Sequence, residues 1–244
     1  MINFAATKPA GMILAIETAT NVCSVALFMD NGVIGLLESD EHNAHSRILH
    51  VLIDRLFTET GTSLSQLTAV AVSKGPGSYT GLRIGVSAAK GFCYAKDIPL
   101  IGINTLECMA AGMKMHLADT GKTIDNPLLI PMIDARRMEV YSAIYNTNLM
   151  ALRETQAEII TPESFQTLRL TSPLVIAGDG ADKCKNILPG ENITYLDDFQ
   201  ASAAWMLQPA IDAFMHQRFE NTAYFEPFYL KDFIAGKPRV KGLE

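Results

Sequence analysis

The stretch AVAVSKGPGSYTGLRIGVSAAKG, residues 69–91, determines how the rest of the chain must be arranged. An apolar run over residues 69–73 leads into a glycine-rich turn, and small residues follow at helical spacing over 80–95. A second apolar run, residues 99–104, comes directly afterwards. Strand, helix and strand with short joints predict a βαβ unit, in which the two strands lie parallel in one sheet.

The glycine-rich turn could hold an anion or let the helix pack closely. Gly75, Gly77 and Gly81 precede a helix N-terminus, where backbone N–H groups can receive a phosphate. A P-loop needs Lys and then Ser or Thr after its last glycine, and Leu82 and Arg83 stand there instead. The spacing GxGxxxG also departs from the dinucleotide fingerprint. The pattern therefore favours a tight turn that caps a closely packed helix.

One face of the predicted helix is almost bare backbone, because Gly81, Gly85 and Ala89 lie four residues apart. A glycine inside a helix costs roughly 0.5 to 1 kcal/mol relative to alanine, which a close contact can offset. That contact could lie within the chain or with another subunit. In the second case, a bulky residue at Gly85 should abolish pairing and leave the monomer folded.

Upstream of this unit, periodicity and turn residues predict a hairpin and a helix. Asn31-Gly32 between two apolar alternations is a strong hairpin signal. An apolar stripe predicts a helix over 45–58, which Gly61 should end. The first half is therefore expected to contain antiparallel strands over 12–18, 22–29 and 33–39, with a further helix over 105–117.

The second half begins by repeating the first. LAIETATNVCSVALF, around Glu17, matches PMIDARRMEVYSAIY, around Asp134: each is a strand that ends in an acid, a polar turn and a returning strand. Such a long period indicates two duplicated lobes. The pattern predicts an α/β protein with the two-lobed actin-like (ASKHA, ribonuclease H-like) architecture of sugar kinases and heat-shock ATPases, in which helices flank duplicated mixed sheets.

Two helices are predicted later in the chain. Thr161-Pro162-Glu163 is typical of a helix start. Pro209 should kink or divide a helical stretch over 201–218. The expected division of the chain is a loose leader (1–11), an N-terminal lobe (12–118) and a C-terminal lobe (119–244) with a flexible tail (236–244).

Composition narrows the class of protein. Twenty Lys and Arg against 26 Asp and Glu give a net charge of −6, which disfavours autonomous binding to a polyanion. The four cysteines are isolated in sequence, so neither a disulfide framework nor a metal site is expected. The chain has no apolar run of the roughly 18 residues that a membrane span needs. We expect a cytoplasmic protein.

Two polar segments are candidates for chemistry. Glu17, Thr18 and Thr20 could hold a phosphate or a hydrated Mg²⁺, or could simply satisfy their own turn. The matching turn after Asp134 carries two arginines, which is more typical of a surface or partner contact.

A histidine cluster begins the helix over 45–58. His42, His45 and His50 accompany Ser46 and could supply metal ligands or a hydrolase base. No acid is placed by sequence to orient any of them, so solvated or capping roles are favoured.

At ILAIETATNVCSVALF, HSRILHVLIDRLF, SKGPGSYTGLRIGVSAAKGF and IPLIGINTLE, the chain resembles the TsaB (YeaZ) family. These proteins are bacterial partners in the synthesis of threonylcarbamoyladenosine on tRNA. The match is dense from Met12 to about Glu107 and weakens in the second lobe to DARRMEVYSAIY, AGDGA and EPFYL. The order of the motifs makes the signature specific.

The resemblance implies a subunit without chemistry of its own. It would be required for threonylcarbamoyl transfer to the adenosine next to the anticodon, in tRNAs that read codons starting with A. The catalytic relative TsaD carries two metal-binding histidines, which align here with Thr105 and Met109. Neither residue can bind a metal as imidazole does.

The resemblance also implies partners. TsaD would bind through the helices over 45–58 and 80–95, and the ATPase TsaE would join the pair. The chain alone would form a homodimer, tRNA would be reached only through the complex, and ATP or ADP would belong to the complex rather than to this chain. The interface candidates are Ile48, Leu52, Gly81, Arg83, Gly85, Val86, Ala89 and Lys90.

Two enzyme alternatives stay open. A peptidase of the glycoprotease type would need Ser46 as nucleophile with His45 or His50 as base, although neighbours on one helix rarely meet in that geometry. A small-molecule kinase with an actin-like fold would need tight binding and turnover of ATP by the isolated chain.

Overall fold

The structure is a computed structural model that describes residues 11–231, apart from 31, 42–43, 122–123, 189 and 191. Three predicted features lie outside these residues: Asn31 of the hairpin, His42 and the tail (236–244). The predicted leader (1–11) lies outside them except for Gly11. Within them the chain forms two five-stranded mixed sheets. No described helix has the length and apolar character that crossing a membrane requires.

The first sheet has the strand order β3-β2-β1-β4-β5. Its first three strands pair antiparallel, and β4 and β5 lie parallel to β1, which confirms the predicted βαβ unit. The strands are β1 (Met12–Glu17), β2 (Cys23–Met29), β3 (Gly32–Ser39), β4 (Leu67–Gly75) and β5 (Leu100–Asn104).

Three helices accompany this sheet. Helix α1 (His45–Thr60) buries the predicted apolar stripe and ends at Gly61, which caps it at a φ of 62°. A left-handed cap of this kind favours glycine because it has no Cβ. Helix α2 (Tyr79–Lys96) connects β4 to β5, and α3 (Thr105–Asp119) follows β5 directly. Asn104 caps α3 by accepting a hydrogen bond from the Leu106 backbone N–H.

The second sheet repeats the first in topology, as the sequence repeat predicts. Its order is β10-β9-β6-β7-β8, with three antiparallel strands followed by two parallel ones. Its strands are β6 (Leu128–Asp134), β7 (Glu139–Tyr145), β8 (Ala151–Ile159), β9 (Leu174–Ala177) and β10 (Ile193–Leu196). Glu17 and Asp134 end corresponding strands, so the two turns face each other as a related pair.

The helix predicted to start at Thr161 starts later. Residues 162–165 form a turn, and the helix α4 covers only Gln166–Thr171. Phe165 has a φ of 58°, which is incompatible with a continuing right-handed helix. Its ring is buried in the core of the second lobe, and that burial holds the residue in this conformation.

The helical stretch predicted over 201–218 is divided close to Pro209, as predicted, and is shorter than predicted. A 3₁₀ turn (Ala203–Met206) precedes α5, which covers Leu207–Met215. Pro209 lies in the first turn of α5, where a backbone N–H has no partner within the helix, so the proline is accommodated at the start of the second piece. Both short helices pack against the first sheet, although they follow the second lobe in sequence. A division of the chain at residues 118 and 119 does not capture this return.

Helix α3 lies between the two lobes. Cys108 belongs to the core cluster under the first sheet, whereas Leu106 and Met109 belong to the core of the second lobe. Trp205 packs against both clusters, and an added Cβ at Gly112 would lie 2.6 Å from its ring. The lobes are therefore joined by a shared apolar helix rather than by a loose linker.

Candidate functional site

The turns at the ends of β1 and β6 border a cavity of about 670 Å³ between the two lobes. The glycine-rich turn after β4 forms a third wall, and residues 228–231 form the fourth wall. Glu17, Thr18 and Thr20 could therefore hold a phosphate or a metal ion in this cleft only if their side chains reach it.

Glu17 does not reach the cleft, because its side chain is 0% exposed. Its Oε1 accepts hydrogen bonds from the Ala19 backbone N–H at 2.6 Å and from the Ser73 hydroxyl at 2.8 Å. Its Oε2 has no hydrogen-bond partner among the described residues. Burial raises the pKa of Glu17 from 4.5 to about 7, because the charged form loses its hydration.

Thr18 and Thr20, the other two candidates for a cofactor site, differ from each other. Thr18 is fully buried, and its side chain faces α2 rather than the cleft. Thr20 lines the cleft, and its backbone carbonyl accepts a hydrogen bond from His45 Nε2 at 3.0 Å. Of the three, only Thr20 lines the cleft, and its hydroxyl is buried without a hydrogen-bond partner among the described residues.

The glycine-rich turn packs closely against the chain's own backbone. Ser78 N donates to the carbonyl of Ala19 at 2.7 Å, and the Ser78 hydroxyl caps α2 by accepting from Gly81 N at 3.2 Å. An added Cβ at Gly77 would lie 2.3 Å from the Ala19 oxygen. The glycines are required because β-carbons would separate the turn from β1.

The small-residue face of α2 makes its close contact inside the chain. An added Cβ would lie 2.0 Å from the Thr18 carbonyl oxygen at Gly81, and 2.2 Å from Thr18 Oγ1 at Gly85. Val86 and Ala89 belong to the core of the first lobe. This face is therefore packed inside the chain, so a bulky residue at Gly85 should destabilise the monomer itself rather than only its pairing.

The two α1 candidates are buried as well. Ile48 and Leu52 point into the core of the first lobe. Lys90 is half-buried and donates to two backbone carbonyls of the C-terminal segment. Of the eight predicted interface residues, only Arg83 is exposed, and its guanidinium donates to the Tyr79 hydroxyl at 2.9 Å.

The outward face of the α1–α2 pair carries different residues. Val51 is 55% exposed and Tyr94 is 87% exposed, and an added Cβ at Gly91 would meet nothing within 4 Å. The apolar stripe identifies the buried side of an amphipathic helix, so the positions that the stripe leaves out are the ones open to a further contact. The sequence contained one signal for an exposed apolar position, because Val51 is an apolar residue on the polar side of α1.

The turn of the second lobe is held by a network around Lys183. Its ammonium pairs with Asp134 and donates to the backbone carbonyls of Arg137, at 2.9 Å, and Glu139, at 2.6 Å. Asp179 accepts from Asp134 N at 3.0 Å, and burial raises the pKa of Asp179. Arg137 and its neighbour Arg136 line the cleft, as the sequence indicated for a contact surface.

The two positions that align with the metal-binding histidines are packed in the core. Thr105 is 0% exposed and Met109 is 1% exposed. The Met109 methyl group is so close to the backbone after β9 that an added Cβ at Gly178 would lie 2.4 Å from it. In the described part of the chain, no three His, Cys, Asp or Glu side chains lie close enough together to hold a metal ion.

The histidine and serine residues of α1 are not joined by hydrogen bonds in the described structure. His45 is buried and hydrogen-bonded to Thr20, whereas Ser46 is exposed to solvent. His50 is exposed four residues after Ser46, and its ring lies 6.3 Å from that of Phe92. Neither histidine is therefore held against Ser46 as the base that a serine peptidase needs.

Two lobes with the same sheet order, a cleft between them and paired turns at the strand ends define an actin-like protein of the ASKHA class. A family model described as TsaD, tRNA N6-adenosine threonylcarbamoyltransferase, matches residues 32–205. The chain is 33% identical over 232 residues to the tRNA threonylcarbamoyladenosine biosynthesis protein TsaB of Escherichia coli K12, covering 92% of this chain and 96% of that one. It belongs to the TsaB family.

Two further comparisons agree. The TsaB protein of Haemophilus influenzae is 29% identical over 241 residues, which cover 92% of this chain and 95% of that protein. The crystallised YeaZ of Pseudomonas aeruginosa superposes with a TM-score of 0.75 at 23% identity, covering 90% of this chain and 99% of that one. The first supports a part in tRNA threonylcarbamoyladenosine biosynthesis, and the second supports the fold.

Proposed function

We propose that this chain is a non-catalytic subunit of tRNA threonylcarbamoyladenosine biosynthesis that binds a TsaD-type catalytic relative and stabilises its active conformation. The observation that carries the proposal is the burial of Thr105 and Met109 at the start of α3. A hydroxyl and a thioether at these positions do not replace a pair of imidazole ligands. The chain keeps the fold of the enzyme and lacks these two ligands.

The proposed assembly contains a TsaE-type ATPase and acts on the adenosine beside the anticodon of tRNAs that read codons starting with A. A net charge of −6 supports contact with tRNA through the complex rather than by this chain alone. We propose that ATP or ADP belongs to the complex and that this chain requires no cofactor. A cytoplasmic location follows from the proposed substrate.

We propose that the partner binds the outward face of α1 and α2, which includes Val51, Gly91 and Tyr94. An aromatic side chain that is 87% exposed in the isolated chain gains the most by burial in an interface. The bare backbone at Gly91 permits close approach of a partner helix. The same face would join two copies of the chain when no partner is present.

Binding to the catalytic relative tests this surface. Val51→Asp and Tyr94→Asp should each weaken pairing by about tenfold or more, because each places a charge in the apolar centre of the contact. Leu152→Asp is the matched control, because Leu152 is 53% exposed but lies on the outer strand β8. Equal affinity of all three variants, measured by calorimetry, would exclude this face.

Reconstitution tests the function itself. The purified catalytic relative, the ATPase and tRNA should form threonylcarbamoyladenosine efficiently only when this chain is added. The chain alone, supplied with tRNA and the activated threonylcarbamoyl donor, should form none. Product formed by the chain alone would overturn the non-catalytic role, whatever the binding experiments show.

A further inference from the structure

We infer that residues 219–231, which we name the clasp, close one side of the cleft between the lobes and detach from the second lobe first. The clasp leaves the first sheet, crosses the mouth of the cleft and ends on β7 of the second lobe. This inference concerns the isolated chain and does not depend on the proposed function.

The clasp begins with backbone pairing at the edge of the first sheet. Glu220 forms an antiparallel β-bridge with Leu100, in which Glu220 N donates to the Leu100 carbonyl at 2.8 Å. The Phe225 ring is buried in the first-lobe core, and an added Cβ at Gly102 would lie 2.7 Å from it. Main-chain pairing and a buried aromatic ring make this end a firm anchor.

The middle of the clasp is attached to α2 and the glycine-rich turn. Lys90 Nζ donates to the carbonyls of Ala223, at 3.2 Å, and Phe225, at 2.9 Å. Phe228 N donates to the carbonyl of Lys74 at 2.6 Å. The Phe228 oxygen would lie 2.5 Å from an added Cβ at Gly75, so the clasp also explains that glycine.

Past Phe228 the contacts become weaker. The Tyr229 ring lies 4.9 Å from that of Tyr79 at the start of α2. Lys231 pairs with Glu139 on β7, and its ammonium lies 5.9 Å from the centre of the Tyr141 ring. The Lys231 and Glu139 side chains are 39% and 26% exposed, so water and salt reach the pair.

The two ends of the clasp therefore differ in strength and in kind. The first-lobe end depends mainly on main-chain pairing and a buried ring, which salt does not weaken, with one partly exposed ion pair between Lys74 and Glu220 at 3.4 Å beside them. Among the described residues, the second-lobe end depends on one exposed ion pair and a cation–π contact. Release of Lys231 would remove one wall of the cavity of about 670 Å³ and leave the anchor at Phe225 in place. The cleft would open at its mouth without unfolding of either lobe.

Thiol labelling tests the release. Leu230 is half-buried and lines the cleft, and all four native cysteines are buried, so a thiol introduced by Leu230→Cys reports on the clasp over a low background. Adding Lys231→Met to this background should raise the labelling rate by about two- to fivefold, the range expected from loss of one exposed ion pair. Raising NaCl from about 0.05 to about 0.5 M should have a similar effect with Lys231 present and little effect without it.

Lys185→Met is the matched control, because Lys185 pairs with Asp182 and Asp197 elsewhere on the second lobe. It should leave the labelling rate unchanged. Amide exchange at Glu220 should also stay slow in every variant, because the anchor remains. An unchanged labelling rate in Lys231→Met, or faster exchange at Glu220 in parallel with labelling, would overturn the inference.

Discussion

Replacing the buried acid at the end of β1 by its amide should change the sign of its effect on stability between acid and alkaline pH. Glu17 is fully buried, and its pKa is raised to about 7 by that burial. Gln keeps an oxygen that can accept from Ala19 N and the Ser73 hydroxyl, but it carries no charge at any pH. Comparing the parent with Glu17→Gln therefore isolates the cost of ionisation.

The sign follows from the direction of the shift. Glu17 titrates at about 4.5 in the unfolded chain and at about 7 in the folded one, so between these values only the folded state keeps the proton. The contribution of Glu17 to the free energy of unfolding is therefore highest below pH 4.5 and falls as the pH rises to about 7. At about 1.4 kcal/mol for each pH unit, the loss is about 3 kcal/mol.

The amide introduces a cost that does not depend on pH. Its NH₂ group takes the place of Oε2, which has no partner in the described structure, and brings two N–H donors where the protonated carboxyl brings one O–H. A buried donor without an acceptor costs about 1 to 3 kcal/mol. Glu17→Gln should therefore be less stable than the parent near pH 5 and more stable by about 1 kcal/mol near pH 8.5, so that the two curves cross.

Urea unfolding followed by circular dichroism over this pH range measures the difference. Other groups whose pKa is raised, such as Glu107 and Asp179, titrate in both proteins and cancel in the comparison. Glu59→Gln on the exposed side of α1 is the control and should show no crossing. Parallel curves for Glu17→Gln and the parent would refute the assignment of a buried, reluctantly ionised carboxyl.

Three further substitutions test the packing of α2 and the hydrogen bonds of the second-lobe turn. Gly85→Ala should lower the free energy of unfolding by about 1 to 3 kcal/mol, because the new Cβ overlaps Thr18 Oγ1. Gly91→Ala on the same helix should raise the free energy of unfolding by about 0.5 to 1 kcal/mol, because that side faces open space. Thermal unfolding measures both variants, and equal effects of the two substitutions would contradict the packing of α2. Lys183→Met should cost about 2 kcal/mol in urea unfolding, because three acceptors of the second-lobe turn lose their donor; a variant as stable as the parent would show that the turn holds itself.

Local patterns predicted the elements whose periodicity and end signals agree. The stripe of α1 and its Gly61 cap, the βαβ unit from β4 to β5 and the repeat that relates Glu17 to Asp134 were all readable in the sequence. Each depends on contacts between residues close in the chain, or on a pattern present twice. The prediction failed at Thr161, where the helix starts only after Phe165, whose left-handed backbone and buried ring no local pattern announces.

The sequence by itself determined the two mixed sheets, the helix that follows the glycine-rich turn and the family to which the chain belongs. The sequence also indicated that the small-residue face of α2 makes a close packing contact, because Gly81 and Gly85 have no β-carbons. Only the tertiary structure decided that this contact is with Thr18 of the same chain, and that Val51 and Tyr94 are the large apolar side chains that these two helices leave exposed. Periodicity reports which side of a helix is buried, but the surface that buries it comes from strands and segments far away in the chain.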